Sequence, residues 1–236
     1  MTPKRQGARA APACDGPTPN FGSRRGGARP DMIVIHYTAM ATAQAARARL
    51  CDPASGVSAH YLIDGRGMAE RLVDEAARAW HAGAGRWGPV DDVNSRSIGI
   101  ELANDGAQPF AEPQMAALEE LLGAIMQRWP VTPDRVIGHS DMAPARKQDP
   151  GPRFDWRRLA LGGLSVWPCR GSGAGDFLAD AARFGYPVGD VSQSDIVAAF
   201  RQRFRPWAAG PLDATDRALM HDLACRFPVD RVTASA

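Results

Sequence analysis

Two histidines and an aspartate lie at the ends of short apolar segments or in the loop beyond one. His36 follows apolar residues 32–35, His139 follows residues 136–138, and Asp149 lies in the proline-rich loop that comes next. Two neutral imidazoles and one carboxylate suit a divalent zinc ion and leave a fourth position for water, whose pKa the metal lowers. The alternative is that each residue is separately a satisfied polar group, and the residues alone leave both interpretations open.

A carboxylate interrupts the apolar segment at residues 98–102. Buried in a strand, Glu101 would cost several kcal/mol unless it is paired or faces a polar cavity. Strand alternation places Gly99 and Glu101 on one face, where the small Gly99 leaves room for a cleft. Glu101 is therefore either a general base that takes a proton from the attacking water or the partner of an arginine such as Arg96 in a buried ion pair.

Lys147 precedes Asp149 by two positions, so both side chains can point to the same side of an extended segment. An ammonium group there could stabilise the oxyanion that forms when water attacks a carbonyl. The alternative is an ordinary surface lysine.

The elements that must position these residues are short strands and one long helix. Strands are predicted at residues 32–35, 98–102 and 136–137, and a hairpin at residues 57–63 and 68–73. Apolar residues recur at helical spacing from Met115 to Trp129, which predicts an amphipathic helix over residues 113–129. A second helix is predicted over residues 39–50.

Composition narrows the classes of function. The formal net charge of +2 gives no tendency toward nucleic acid, and no apolar stretch approaches membrane-spanning length. The four scattered cysteines, Cys14, Cys51, Cys169 and Cys225, predict free thiols. Since no signal-peptide core follows Met1, we expect a cytoplasmic protein, or a periplasmic one if a leader was removed.

The C-terminal part of the chain differs from the preceding part in its sequence pattern. Glycine and proline mark residues 166–175 as a linker, and helical patterns follow at residues 176–184, 192–204 and 213–227. Ser192 or Ser194 would cap the second of these helices, and Asp213 the third. The predicted organisation is an irregular tail at residues 1–19, a catalytic domain at 20–165, the linker, and a three-helix domain at 176–228.

Six motifs in order carry a resemblance to a known family. They are Ile33-Val34-Ile35-His36-Tyr37-Thr38, Ser58-Ala59-His60-Tyr61-Leu62-Ile63, Ala79-Trp80-His81-Ala82-Gly83, Ser97-Ile98-Gly99-Ile100-Glu101-Leu102, Ile137-Gly138-His139-Ser140-Asp141 and Lys147-Gln148-Asp149-Pro150-Gly151. Residues 20–165 resemble the zinc-dependent N-acetylmuramoyl-L-alanine amidases, the class that includes muropeptide-recycling enzymes. The resemblance implies an α/β fold with a mixed central β-sheet flanked by helices.

The resemblance also implies a set of residue roles. Zinc would be held by His36, His139 and Asp149, with Glu101 as the catalytic carboxylate and Lys147 stabilising the transition state. All five positions match the family pattern, which favours hydrolysis of the amide between N-acetylmuramic acid, in its 1,6-anhydro form or not, and L-alanine. The alternatives are a non-catalytic peptidoglycan recognition protein and a zinc peptidase that cuts elsewhere in the stem peptide.

Three further predictions concern other residues. His81 and Asn94 are expected to contact the muropeptide, whereas His60 is expected to be structural and His221 to lie at the surface. The C-terminal helices resemble a three-helix peptidoglycan-binding domain through residues 184–187, 199–206 and 210–214. The alternative is a helical appendage that packs on the catalytic domain and completes its core.

Overall fold

A mixed five-stranded sheet forms the centre of the molecule. The computed structural model describes residues 18–169 and 175–229. The strands of this sheet are β2 (Met32–Tyr37), β3 (Tyr61–Ile63), β4 (Ala69–Arg71), β6 (Ser97–Leu102) and β7 (Val136–Gly138), in the order β4-β3-β6-β2-β7. Only the β3–β4 hairpin is antiparallel, and the other neighbours run parallel. A separate antiparallel pair joins β1 (Phe21–Ser23) to β5 (Ala77–Ala79).

Helices flank the central sheet, which confirms the predicted fold class. They are α1 (Ala43–Cys51), α2 (Val93–Arg96), α3 (Glu112–Arg128), α4 (His139–Met142), α5 (Trp156–Leu161), α6 (Phe177–Phe184), α7 (Gln193–Phe204) and α8 (Ala214–Arg226). Within the described residues, no helix combines the length and the apolar character that crossing a membrane would require.

The amphipathic pattern of α3 buries one face of the sheet. Ile98, Ile100 and Leu102 of β6 point to this face and pack, with isoleucines of β2, against the buried side of α3, as strand alternation predicts. The helix runs from Glu112 to Arg128, with a proline in its first turn, and Trp129 ends it. This layer leaves the other side chains of β6, including Glu101, free to face the opposite side of the sheet.

The opposite side of the sheet shares one apolar core with the C-terminal helices. Met32 and Val34 of β2 belong to the same buried cluster as Phe184, Phe200 and Phe204 of α6 and α7. The helices begin as predicted, because the side chains of Ser192 and Asp213 accept hydrogen bonds from backbone N–H groups at the starts of α7 and α8. The predicted linker separates two parts of the sequence, but residues from both parts form this one apolar core.

Several predicted bounds differ from the structure. The strand predicted from residue 57 begins only at Tyr61, because the Ser58 N–H donates to the Trp80 carbonyl in a loop and not to a neighbouring strand. The helix predicted from residue 39 begins at Ala43, where the Thr42 side chain caps it. Most of the predicted tail, residues 1–17, and residues 170–174 of the predicted linker lie outside the described residues.

Candidate metal site and catalytic centre

The ends of two parallel strands bring His36, His139 and Asp149 together. Ile35 pairs with Gly138 across β2 and β7, so the next residues, His36 and His139, are neighbours. Their Nδ1 atoms lie 3.0 Å apart, and Asp149 Oδ2 lies 2.9 Å from the first and 3.0 Å from the second. The three side chains are buried and offer their ligand atoms to one common point.

A chain of hydrogen bonds fixes the tautomer of His36. The Ser97 hydroxyl donates to the Val93 carbonyl, so its oxygen is left to accept from His81 Nε2, 3.2 Å away. His81 Nδ1 then carries no hydrogen and accepts from His36 Nε2 at 3.0 Å. This assignment leaves His36 Nδ1 as a bare lone pair that faces Asp149.

His139 is oriented in the same way. Its Nε2 lies 2.8 Å from the Ala82 carbonyl oxygen and therefore carries the hydrogen, which leaves Nδ1 bare. Two bare nitrogens and a carboxylate oxygen within about 3 Å of one another repel unless a cation lies between them. The donor set therefore fits a metal ion, and its two imidazoles and one carboxylate are ligands typical of zinc.

Electrostatics keep this donor set in its metal-binding form. Burial, reinforced by the nearby His139, lowers the pKa of His36 to about 4, so its imidazole is neutral at pH 7. A cation held between these nitrogens would likewise favour the ionised carboxylate of Asp149.

Glu101 lies beside this cluster and has an unused oxygen. It is paired with His36 across β2 and β6, and its Oε2 is buried without a hydrogen-bond partner among the described residues. The ion pair with Arg96 is not formed, because Arg96 binds Asp31 with an Nε–Oδ1 distance of 3.0 Å. Burial, with a contribution from Asp149, raises the pKa of Glu101 to about 8.

The space left by Gly99 holds an imidazole ring rather than an open cleft. A Cβ atom at Gly99 would lie 2.4 Å from Cγ of His81, so only glycine lets His81 reach the outer nitrogen of His36. Asn94 is buried, and its Oδ1 accepts from the backbone N–H groups of His81 and Ala82 at 3.0 and 2.9 Å. Both residues thus position the site, and their contact with substrate stays a prediction.

A cleft of about 830 Å³ opens over the cluster. His36, Glu101 and Lys147 line it, and Ala198 and Gln202 of α7 form part of its wall. The positive charge of Lys147 is close enough to act on Glu101, since it lowers the pKa of that carboxyl against the larger effect of burial. All the residues predicted for the site except Asn94 line this cleft, which also includes residues of α7.

The remaining histidines and the cysteines lie away from the cluster. His60 is fully buried, and its Nδ1 accepts from the Gly99 N–H at 2.9 Å, as expected of a structural residue. His221 is partly exposed and lies 3.0 Å from Asp180. No disulfide joins the three cysteines that the structure describes, and Cys14 lies outside the described residues.

Two residues that support the site were not predicted from sequence. Ser97 anchors the His81–His36 chain, and Arg146 donates to the Ala82 carbonyl at 2.8 Å, the same oxygen that His139 uses. Arg146 is next to Lys147 in the polar loop, and this position is the one feature of the sequence that could have indicated its role. Ser97 carries no comparable signal, because a serine before a strand is common.

Comparison with known proteins agrees with this geometry. Residues 26–152 match the family model described as N-acetylmuramoyl-L-alanine amidase. The chain is 35% identical to the N-acetylmuramoyl-L-alanine amidase AmiD of Escherichia coli, over 84% of each chain. It is also 35% identical to the 1,6-anhydro-N-acetylmuramyl-L-alanine amidase AmpD of Haemophilus influenzae, over 60% of this chain and 86% of that protein.

Solved structures of related proteins extend the likeness to the C-terminal helices. The complex of E. coli AmiD with the substrate anhydro-N-acetylmuramic acid-L-Ala-D-gamma-Glu-L-Lys covers 94% of this chain and 93% of that one, with a TM-score of 0.77 at 33% identity. AmpDH3 of Pseudomonas aeruginosa in complex with anhydromuramic pentapeptide covers 97% of this chain and 99% of that one, with a TM-score of 0.75 at 29% identity.

Proposed function

Because the chain belongs to the N-acetylmuramoyl-L-alanine amidase family, we propose that it hydrolyses the amide that joins N-acetylmuramic acid to L-alanine in peptidoglycan fragments. The observation that carries this proposal is the convergence of His36, His139 and Asp149 beside Glu101, whose Oε2 has no partner among the described residues. A recognition protein would need neither a complete ligand set nor an uncompensated carboxyl group, which disfavours the non-catalytic alternative.

We propose zinc as the metal. The bare nitrogens of His36 and His139 and the carboxylate of Asp149 form the His-His-carboxylate set found in catalytic zinc sites, which keep a fourth position open. Bound zinc would polarise the scissile carbonyl and lower the pKa of a water molecule.

Glu101 is proposed to carry the proton between water and the leaving amine. It lies next to His36 across the sheet, and its Oε2 makes no other hydrogen bond within the described residues. Positive charge at the cluster would lower the pKa of Glu101 from about 8, so that the carboxylate could accept a proton near neutral pH. The same group then donates that proton to the nitrogen of L-alanine as the amide bond breaks.

Lys147 is proposed to stabilise the negative charge that develops on the carbonyl oxygen. It lines the cleft in the loop that also supplies Asp149, and its charge already acts on Glu101. A fixed cation at this point stabilises the transition state more than the neutral substrate, which raises kcat.

The substrate is proposed to be a muropeptide that carries the 1,6-anhydro sugar. Two similar structures are complexes with anhydro-muramyl peptides, and the open cleft of about 830 Å³ is large enough for a sugar with several residues of stem peptide. Intact peptidoglycan is the competing substrate. A role of the C-terminal helices in binding the cell wall is likewise a proposal, supported by a second groove along α7 that shares Pro152, Ala198 and Gln202 with the cleft.

Product analysis tests the proposed function. Purified protein is incubated with zinc and a defined anhydro-muramyl tripeptide, and the products are separated and weighed by mass spectrometry, with His139→Ala as the inactive control. We expect anhydro-N-acetylmuramic acid and a free tripeptide whose N-terminus is L-alanine. Cleavage between two amino acids would instead identify a peptidase, and binding without cleavage would identify a recognition protein.

A further inference from the structure

Helix α7 contacts the catalytic loop, residues 139–149, near both of its ends. Arg203 Nη1 donates to Asp141 Oδ2 at 2.6 Å, and Gln202 Nε2 donates to the Gln148 carbonyl at 2.9 Å. Resting on the proposed function, we infer that α7 positions the metal ligands and Lys147, with Arg203 as its main positioning residue. The C-terminal helices would then be part of the catalytic machinery and not only an attached module.

The contact at Asp141 is a buried hydrogen-bond network, in which Arg203 Nε has no partner among the described residues. Besides Arg203, the carboxylate accepts the Tyr186 hydroxyl and the Gly138 N–H, each at 2.8 Å. Asp141 is fully buried, and the Arg203 side chain is 1% exposed. Arg203 Nη2 also donates to the Val136 carbonyl at 3.0 Å. A buried ion pair with these additional hydrogen bonds has one well-defined geometry, which is what a positioning element needs.

This network acts on two of the three metal ligands. Gly138 directly precedes His139, and Asp141 lies one residue beyond Ser140 in α4, so fixing Gly138 and Asp141 fixes the turn that presents the imidazole. The Ser140 N–H then donates to the Asp149 carbonyl at 2.9 Å, which ties the third ligand to the same turn. Loosening Arg203 would therefore displace His139 and Asp149 together.

The second contact acts on the other end of the loop. Gln148 lies between Lys147 and Asp149, so the bond from Gln202 to its carbonyl holds the peptide that separates the proposed oxyanion-stabilising residue from a metal ligand. Arg203 and Gln202 are adjacent in the last turn of α7, so one rigid helix end sets both positions.

The same helix offers a matched control. Arg201 forms a buried ion pair with Asp216 of α8, with an Nε–Oδ2 distance of 3.1 Å. It resembles the Arg203–Asp141 pair in chemistry and burial, although Asp216 also pairs with Arg205. It joins two C-terminal helices and does not touch the catalytic loop. Arg201→Lys and Arg203→Lys thus each remove a guanidinium group from a buried ion pair. Only the pair that contains Arg203 contacts the catalytic loop.

The test compares these two variants in zinc affinity, the visible spectrum of the cobalt-substituted protein, kcat and KM on the anhydro-muramyl tripeptide, and thermal stability. We expect both variants to lose stability, Arg201→Lys less than Arg203→Lys, because Asp216 keeps Arg205 as a partner. Arg203→Lys alone should bind zinc about tenfold more weakly, change the cobalt spectrum and lower kcat with KM nearly unchanged. If Arg203→Lys matches Arg201→Lys in zinc affinity and cobalt spectrum, the inference is wrong.

A milder variant covers the case in which Arg203→Lys does not fold. Tyr186→Phe removes one hydrogen bond to Asp141 and keeps the aromatic ring, and we expect it to weaken zinc binding by about threefold, less than loss of a complete outer-shell partner costs. Unchanged zinc affinity and an unchanged cobalt spectrum in this variant would overturn the inference. Failure of the proposed function would appear differently, as wild-type protein that binds zinc but releases no L-alanine peptide.

Discussion

Two glutamates near the central sheet have opposite surroundings. Glu75 is 7% exposed, and its oxygens accept from Tyr61 Oη at 2.7 Å, Trp129 Nε1 at 2.6 Å and Arg128 Nη2 at 2.6 Å. Burial alone would raise the pKa of Glu75, but these hydrogen bonds outweigh burial and lower it to about 2. The hydrogen bonds that the Glu75 carboxylate accepts thus join α3 to the β3–β4 region.

The carboxyl group of Glu101 has surroundings opposite to those of Glu75. Among the described residues its Oε2 has no donor, and its pKa is raised to about 8 mainly by burial. A buried carboxyl group surrounded by donors thus stabilises the fold, whereas one without donors is free to exchange a proton.

The largest expected effect is on turnover. Glu101→Gln should bind zinc normally and lower kcat by about a thousandfold, because the amide keeps the shape but cannot accept a proton. The measurement is zinc content together with single-turnover cleavage of the anhydro-muramyl tripeptide. Glu75→Gln is the control, with kcat within about twofold of wild type. Full activity in Glu101→Gln would remove Glu101 from the mechanism.

The second prediction concerns stability, for which Glu75 should matter more than Glu101. Glu75→Gln should lower the free energy of unfolding by about 3 kcal/mol, because its amide NH₂ would face donors on Trp129 and Arg128. Chemical denaturation of both variants measures the difference. Equal stability of Glu75→Gln and wild type would show that the hydrogen bonds around Glu75 contribute little.

The third prediction concerns the cation beside Glu101. Lys147→Met should lower kcat by about a hundredfold and leave zinc binding unchanged, because the stem keeps its length but loses the charge that stabilises the oxyanion. Steady-state kinetics with a zinc assay measure both quantities. Arg153→Met, at an exposed position shortly after the same loop, serves as the control. A loss confined to KM would mean that Lys147 binds substrate and does not act in the transition state.

The smallest effect is a pH dependence of stability in the zinc-free protein. Since the pKa of Glu101 in the folded state is about 8, above its ordinary value of 4.5, the folded state favours the protonated form. Its stabilising contribution is present below pH 4.5 and is lost as the pH rises toward 8. Wild type should therefore lose about 2 kcal/mol relative to Glu101→Gln between about pH 5 and pH 6.5.

The contribution of Glu75 to the free energy of unfolding should depend on pH in the opposite direction. Its folded-state pKa of about 2 lies below the ordinary value, so its contribution is present above pH 4.5 and is lost as the pH falls toward 2. Denaturation of the chelated proteins across pH measures both slopes. Parallel curves for wild type and Glu101→Gln between pH 5 and pH 8 would contradict the raised pKa.

Local patterns predicted much of the fold and the site. The period of α3, the caps of α7 and α8, and the positions of His36 and His139 at strand ends follow from spacing along the chain. Spacing alone left the ligand set open against three separate polar residues, and the resemblance to the amidase family singled it out. The zinc ligands and catalytic roles, the domain boundaries and the cytoplasmic location stay predictions.

Long-range contacts could not be predicted in the same way. Nothing in the spacing shows that Arg203 meets Asp141, or that His81 fills the space beside Gly99, because each contact joins segments far apart in the sequence. Strands of three residues, such as β1 and β5, are too short for alternation to be recognised. The shared core of the sheet and the C-terminal helices likewise depends on packing that one sequence does not reveal.

The most direct test of the central claim joins metal content to catalysis in one preparation. Zinc is measured by elemental analysis, and cleavage of the anhydro-muramyl tripeptide is followed before chelation, after chelation and after zinc is restored. We predict about one zinc ion per chain, with cleavage lost on chelation and regained with zinc. Undiminished cleavage by zinc-free protein, or zinc-loaded protein that binds the muropeptide without cutting it, would contradict the account.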